Sequence, residues 1–193
     1  MNLNDKRVLR TRSILRQSML DLMRRKPVSQ ITVKEICDLA GINRNTFYTH
    51  YGMPEDILAE IENEYYVKMN RIQESAIKTG DVSALILGIM NTLFENKEYS
   101  MVLYGDHNDR KVRDGHYKNS YSRVMISWIE SGTSAQADHL GWLFTFLSGG
   151  IDAVIRNWVK NGMKEDPAQI ARLAARMCNA SSGSVFDAAE KKN

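Results

Sequence analysis

Residues 32–58 constrain what this chain can fold into more than any other stretch of the sequence. Thr32 and Glu35 form a capping box, the pattern that marks the start of a helix. Gly41 occupies the position where a left-handed residue commonly ends a helix, and Asn43 is a favourable cap for the next one. The pattern predicts two short helices joined by a three-residue turn. This arrangement is a helix-turn-helix, whose second helix enters the major groove of DNA.

The same stretch resembles the DNA-binding region of TetR-type transcriptional regulators. The resemblance rests on G-I-N-R-N-T-F-Y-T-H-Y, residues 41–51, and on P-E-D-I-L, residues 54–58. It implies an all-α protein in which an N-terminal three-helix DNA-binding domain precedes a helical domain for dimerisation and effector sensing. Met53 and Pro54 stand where the family often has a lysine that meets a phosphate, so we expect one phosphate contact fewer.

Charge is distributed unevenly along the 193 residues. Residues 1–53 hold ten lysines and arginines against four acidic residues, a net charge of +6, which leaves −3 for the other 140 residues. A basic module is what binding to a phosphate backbone requires, although a solvated basic helix face would give the same count. We therefore predict a DNA-binding domain over 1–53, extending into the helix that starts at 54. Residues 54–193 are predicted to form the dimerisation and effector-sensing domain.

Several protein classes are disfavoured by composition. No window of 18 uninterrupted apolar residues is present, so we expect no membrane span. The N-terminus has no apolar stretch before a cleavage site, and the two cysteines lie far apart, which suits a cytoplasmic bacterial protein. Phosphate-loop, zinc-protease and serine-hydrolase motifs are missing, so we predict neither an enzyme nor a cofactor.

Phosphate contacts are predicted at both ends of the helix-turn-helix. Thr32 lies at a helix N-terminus, where its hydroxyl and backbone N–H can hold a phosphate, and Lys34 follows in the first turn. Tyr48 and His50 lie near the end of the second helix, predicted to run from about Arg44 to His50. These contacts would position the protein on DNA without specifying a sequence.

Base contacts are predicted at the start of the second helix. Arg44 can pair bidentately with guanine, Asn45 can do so with adenine, and Thr46 can contact a thymine methyl group. Phe47 is assigned to the core instead. Arg7, Arg10 and Arg12 could reach an adjacent minor groove or phosphate, or could equally lie on a solvated face.

The last two helices, about 138–161 and 166–180, carry the strongest periodic patterns. Residues 147–173 further resemble the TetR-type subgroup that includes the activator of dihydroxyacetone kinase operons. The family resemblance implies that these helices pair with a second subunit, since reading a palindrome requires two-fold symmetry. Filling of the monomer core is the alternative. The predicted homodimer interface comprises Leu147, Gly150, Ile151, Val154, Trp158, Ile170, Leu173 and Met177.

An apolar pocket for a small-molecule effector is a further expectation, although methionine and aromatic residues at helical spacing commonly fill a core. Asp106, His107, Asp109 and His116 form a polar cluster, but their spacing matches no known metal pattern, so no metal site is predicted. Pocket-lining candidates are Tyr99, Met101, Tyr104, Tyr121, Trp128, Trp142 and Phe146.

Three other helices have predicted limits. The first should span about 6–25, with Leu15, Met19, Leu22 and Met23 on its inner face. The fourth should run from Pro54 to about 78, which makes it the mechanical link between the domains. A helix capped by Asp81 should direct Leu85, Ile89, Leu93 and Phe94 inward, and the tail after residue 180 should fray.

These features predict a homodimeric repressor that a small-molecule effector releases from a palindromic operator on double-stranded DNA. The alternative is an activator or regulator whose C-terminal domain docks a partner protein, or senses a metal ion, in place of an organic ligand.

Overall fold

The computed structural model describes residues 6–79, 81–104 and 137–190, and this part of the chain is helical without any β-strand. The all-α prediction is therefore confirmed. A 3₁₀ turn at Val28–Gln30 follows the first helix. The helices are α1 (Lys6–Met23), α2 (Val33–Ala40), α3 (Arg44–Tyr48), α4 (Pro54–Thr79), α5 (Val82–Glu95), α6 (Lys97–Leu103), α7 (Ala137–Lys160) and α8 (Pro167–Glu190).

The chain divides into two compact units. Unit 1 comprises residues 1–67 and 98–109, and unit 2 comprises residues 68–97 and 110–193. Helix α4 begins in unit 1 and ends in unit 2. No helix among the described residues is both long enough and apolar enough to cross a membrane.

Unit 1 is built on the inner face of α1. The predicted inward residues Leu15 and Met19 are completely buried there, four residues apart on one side of the helix. Helix α2 packs against α1 and α3 packs against α2, and they contribute the equally buried Ile36 and Phe47. Ile57, from the first turn of α4, completes this small core.

Unit 2 is organised around α8, against which both α5 and α7 pack. Trp158 of α7 is almost fully enclosed within this unit and stacks on Phe94 of α5, with ring centroids 6.2 Å apart. Its indole Nε1 donates a hydrogen bond to the carbonyl oxygen of Glu165 at 3.2 Å. The Trp158 side chain therefore fixes the α7–α8 connection to α5.

The structure differs from the sequence prediction in the rotation of α5. The fully buried residues are Ile86, Met90 and Leu93, whereas Phe94 is 44% exposed. The predicted inward positions 85 and 89 are only half-buried. The cause is that α5 carries apolar side chains on two adjacent stripes, so the hydrophobic period alone does not fix which stripe faces inward.

Two helix ends also differ. Helix α1 ends at Met23, two residues earlier than predicted, and α8 continues to Glu190 in place of fraying after residue 180. The extension contains no proline, and Ala188, Ala189 and Glu190 at its end favour helix despite one glycine at 183.

Candidate DNA-binding site

The N-terminus of α2 is closed by the capping box that the sequence predicts. The backbone N–H of Glu35 donates to Thr32 Oγ1 at 3.3 Å, and the Thr32 N–H donates to Glu35 Oε2 at 3.0 Å. The Thr32 hydroxyl also donates to Glu35 Oε2 at 2.8 Å. Both donors of Thr32 are therefore occupied, and the helix geometry leaves the N–H groups of Val33 and Lys34 to face an incoming anion.

A third group stabilises this cap. Lys26 Nζ pairs with Glu35 Oε1 at 2.6 Å and donates to the carbonyl oxygen of Gln30 at 2.7 Å. The ammonium group of Lys26 and the donors of Thr32 together lower the pKa of the Glu35 carboxyl to about 2. Glu35 is therefore anionic at any physiological pH, where a carboxylate beside the positive end of α2 is favourable.

The turn between α2 and α3 has the conformation that its sequence requires. Gly41 has φ 65° and ψ 30°, the left-handed region that glycine adopts without steric cost. Its N–H returns to the carbonyl oxygen of Cys37, and Asn43 Oδ1 then accepts the N–H of Asn45 at 2.8 Å. These local bonds fix the direction in which α3 leaves the turn.

Helix α3 directs its first residues to solvent. Arg44, Asn45 and Thr46 are all exposed, while Phe47 is completely buried and anchors the helix in the core of unit 1. Within the described residues Arg44 makes no ion pair, so its guanidinium is available to a partner. The exposed set offers bidentate donors and acceptors of the kind that recognise bases in the major groove.

The C-terminal end of α3 is shorter than predicted. The helix ends at Tyr48 because the following N–H groups bond with tighter spacing: that of Thr49 is shared between two carbonyls, and that of His50 returns to Phe47 at 2.8 Å. Tyr48 is exposed and meets the Phe47 ring edge-on at 5.5 Å. His50 is half-buried, and its Nδ1 atom is enclosed without a hydrogen-bond partner among the described residues.

A cluster centred on Glu60 joins α1 and the end of the helix-turn-helix to α4. Arg12 pairs with Glu60, and Arg16 contacts Glu60 at 3.2 Å and Glu64 at 2.6 Å. The Tyr51 hydroxyl donates to Glu60 Oε2 at 3.0 Å, and Arg12 also lies over the Tyr51 ring, 5.3 Å from its centroid. We refer to these five residues as the Glu60 cluster.

The contacts of Arg12 in the Glu60 cluster differ from the DNA contact that the sequence suggested for it. Arg12 was a candidate for DNA contact, but its guanidinium is held by a carboxylate and a phenol hydroxyl. Sequence reasoning missed Glu60 altogether. A usable signal existed: Arg12 and Arg16 are four residues apart, as are Glu60 and Glu64, and matched spacings suit two helices that pair side by side.

The candidate effector residues do not form one group. Tyr99 of α6 is deeply buried in unit 1, with its ring 5.3 Å from that of Tyr65 in an edge-on contact. Its hydroxyl has no hydrogen-bond partner among the described residues, and burial together with the charge of Glu62 raises its pKa. Met101 and Tyr104 are half-buried on or just after the same helix.

The other candidates for the effector and metal sites fall elsewhere. Trp142 and Phe146 lie on α7 in unit 2 and are exposed over 74% and 68% of their surface, so neither side chain is enclosed. Tyr121 and Trp128 lie outside the described residues, as do all four members of the polar cluster at 106–116. Among the described residues no group of three potential ligands is arranged to hold a metal ion.

The candidate dimer residues are divided between two faces. On α7, Leu147, Ile151 and Val154 lie on the inward side and are half-buried, and Trp158 belongs to the core of unit 2. The outward side instead carries Trp142, Phe146, Gly149, Gly150 and Ala153, which we call the exposed α7 stripe. On α8, Leu173 and Met177 are about half exposed, and Ile170 is half-buried beside them.

Comparison with known proteins identifies related sequences. A family model for the C-terminal region of TetR-type transcriptional regulators matches residues 81–180. The uncharacterised HTH-type transcriptional regulator YxbF of Bacillus subtilis strain 168 is 28% identical over 110 residues. That alignment covers 50% of this chain and 29% of YxbF, so the chain spans less than a third of this curated relative.

Solved structures share the fold. The fatty acid degradation regulator FadR from Bacillus halodurans superposes with a TM-score of 0.58 at 16% identity, covering 87% of this chain and 94% of FadR. The dihydroxyacetone kinase operon activator DhaS gives a TM-score of 0.58 at 19% identity, covering 88% and 94%. At these identities the likeness concerns the fold and not the ligand.

Proposed function

Because this chain belongs to the TetR-type transcriptional regulators, we propose that it acts as a homodimeric repressor which a small-molecule effector releases from a palindromic operator. The observation that carries the proposal is the exposed set Arg44, Asn45 and Thr46 on a helix whose start is fixed by Asn43 and whose underside is anchored by Phe47. A short, rigidly held helix with polar residues outward suits insertion into the major groove.

Phosphate contacts would come from the groups around this helix. The N–H groups of Val33 and Lys34, with the Lys34 side chain, form one candidate, and Tyr48 with His50 forms a second. Thr32 would cap the N-terminus of α2 and would not itself donate to a phosphate, since its own donors are bonded to Glu35. These contacts would orient the protein, while the residues of α3 would specify the sequence.

The homodimer would use the exposed α7 stripe together with Leu173 and Met177 of α8. Two large aromatic side chains facing solvent on one helix are unusual unless something covers them. A methyl group added at Gly149 or Gly150 would meet nothing within 4 Å, so the chain's own packing does not require glycine there.

The two glycines support close approach of a second helix. Each costs about 0.8–1 kcal/mol relative to alanine within a helix. A crossing helix from a second copy, lying directly on their backbone, supplies the compensating contact. We do not include Trp158 in the proposed interface, although the sequence predicted it there, because its side chain is already enclosed within one subunit.

Signal transmission is assigned to α4. The Glu60 cluster ties the first turns of this helix to α1 and to Tyr51, which directly follows the recognition segment. A displacement of α4 would therefore carry the helix-turn-helix with it. The buried, unpartnered hydroxyl of Tyr99 supports an effector that forms a hydrogen bond there, since such a group gains most from a new partner.

Selection of random duplex DNA by the purified full-length protein tests the proposal. Enrichment of an inverted repeat, with half-sites about 34 Å or a multiple apart, is the expected result for a symmetric dimer. Failure to enrich any sequence by a folded dimeric protein would refute effector-released repression in this form and favour the activator that needs a partner.

Two substitutions then separate the contact classes. Arg44→Ala should cost about 1–3 kcal/mol of operator affinity and relax the preference at one base position per half-site. Lys34→Ala should weaken operator and unrelated DNA alike and reduce the dependence of affinity on salt. If Arg44→Ala behaved as Lys34→Ala does, the base-reading role of Arg44 would be wrong.

A further inference from the structure

A groove of about 490 Å³ lies within unit 2, between the start of α5 and α8. Its floor is apolar and made mainly of alanines, with Ala84 and Leu87 from α5 and Ala171 and Ala175 from α8. Its volume lies within the range of sites that bind small organic molecules, about 300–1,000 Å³. The groove follows α8 from Ala168 to the level of residue 179, a length of about 16 Å.

Positive charge is concentrated along one edge of this groove. Arg172 and Arg176 lie one helical turn apart on α8, and both are exposed. Neither guanidinium makes an ion pair within the part of the chain that the structure describes. Like charges at this spacing repel each other slightly, so a shared anion would stabilise both.

The opposite edge combines the positive end of a helix with one acidic side chain. Ser83 and Ala84 lie in the first turn of α5, whose N-terminal end carries a partial positive charge. Asp81 also lines the groove, but its carboxylate already accepts the Ala84 N–H at 2.9 Å as the helix cap. Two arginines against one aspartate leave the rim of the groove with a net positive charge.

We propose that this groove binds an amphipathic organic acid. Its carboxylate accepts hydrogen bonds from Arg172 and Arg176, and its hydrocarbon part lies on the floor of Ala84, Leu87 and Ala171. Charge complementarity selects the acid over a neutral molecule of the same shape, and the small side chains of the floor select a slender body. The site is independent of the proposed operator binding, because its residues lie outside the helix-turn-helix.

Calorimetric titration of the full chain with sodium octanoate tests this site, with 1-octanol as the neutral probe and acetate as the probe without a hydrocarbon chain. Saturable binding of octanoate alone is expected. Arg172→Gln and Arg176→Gln should each weaken octanoate binding at least about tenfold, the effect of removing a charge-assisted hydrogen bond. Arg25→Gln, an exposed arginine of unit 1, provides the matched change in charge and should leave binding unchanged.

A variant that keeps both arginines tests the apolar floor. Ala84 is exposed, so Ala84→Phe should fill the groove without disturbing the core, and it should weaken octanoate binding while circular dichroism stays that of the parent. The proposal is overturned if octanoate does not bind saturably, if octanol binds equally well, or if both arginine variants bind octanoate within about twofold of the parent.

Discussion

Removal of one hydroxyl group should lower stability at Tyr51 but not at Tyr99. The two side chains are equally buried, 5% and 4% exposed, and both belong to unit 1. The Tyr51 hydroxyl donates to Glu60 at 3.0 Å and accepts from Arg12 Nε at 3.3 Å. The Tyr99 hydroxyl has no hydrogen-bond partner among the described residues.

The expected magnitudes follow from these partners. Tyr51→Phe removes a hydrogen bond to a charged group and should lower the free energy of unfolding by about 1.5–3 kcal/mol. Tyr99→Phe removes a polar group that is buried without compensation, so it should leave stability unchanged or raise it by about 1 kcal/mol. Both changes delete the same atom and leave the ring in place, so the difference of at least about 1.5 kcal/mol isolates hydrogen bonding from packing.

Urea unfolding followed by circular dichroism measures this difference through the shift of the midpoint at constant slope. Loss of stability in Tyr99→Phe as large as that in Tyr51→Phe would refute the reasoning, because it would mean that the Tyr99 hydroxyl is hydrogen-bonded in solution. Burial raises the pKa of Tyr51 to about 12, above its ordinary value of 10. The unfolded chain therefore loses this proton at a lower pH than the folded chain does. The stabilisation that Tyr51 contributes is consequently lost as the pH rises from about 10 to about 12, and Tyr51→Phe should not show this loss.

Two further predictions concern the cap of α2 and the dimer surface. Glu35 has a pKa lowered from 4.5 to about 2, so the stability it contributes is present above pH 4.5 and is lost as the pH falls towards 2; Glu35→Gln should be less stable at pH 7, and the gap measured by urea midpoints should close across that interval. An unchanged gap at pH 2 would contradict the assignment. Phe146→Lys should shift the protein from dimer to monomer in sedimentation velocity by placing a charge at an apolar interface, whereas Val82→Lys, also exposed but outside that surface, should remain dimeric. A dimeric Phe146→Lys would rule out the exposed α7 stripe as the interface.

Features determined by neighbouring residues could be predicted from the sequence. The capping box at Thr32, the left-handed Gly41 and the Asn43 cap each depend on bonds that span five residues or fewer, and all three are present. The inner face of α1 could also be predicted, because only one side of that helix carries closely spaced apolar residues. Helix α3 was correctly located, although its last turn is tighter than its sequence indicates.

The rotation of the later helices could not be predicted in this way. Helix α7 carries large apolar residues on both sides, Trp142 and Phe146 outward and Leu143 and Phe144 inward. A hydrophobic period identifies the helix but does not say which side meets the core of its own subunit. That choice depends on the partner helices, and it explains why aromatic residues expected in a pocket lie on the surface instead.

The number of cations in residues 1–53 likewise does not show which of them are already paired with carboxylates of the protein. Of the ten cations in residues 1–53, at least four are ion-paired with carboxylates. Arg12, Arg16 and Arg24 have partners beyond residue 53, and Lys26 pairs with Glu35. The net charge of this segment still contributes to the long-range attraction of DNA, because that field sums all charges. The salt dependence of binding instead counts only the phosphates that are neutralised. It should therefore reflect Lys34 and the few cations near it, and a slope close to the full count would mean that DNA breaks the internal pairs, including the bonds that tie α4 to the helix-turn-helix.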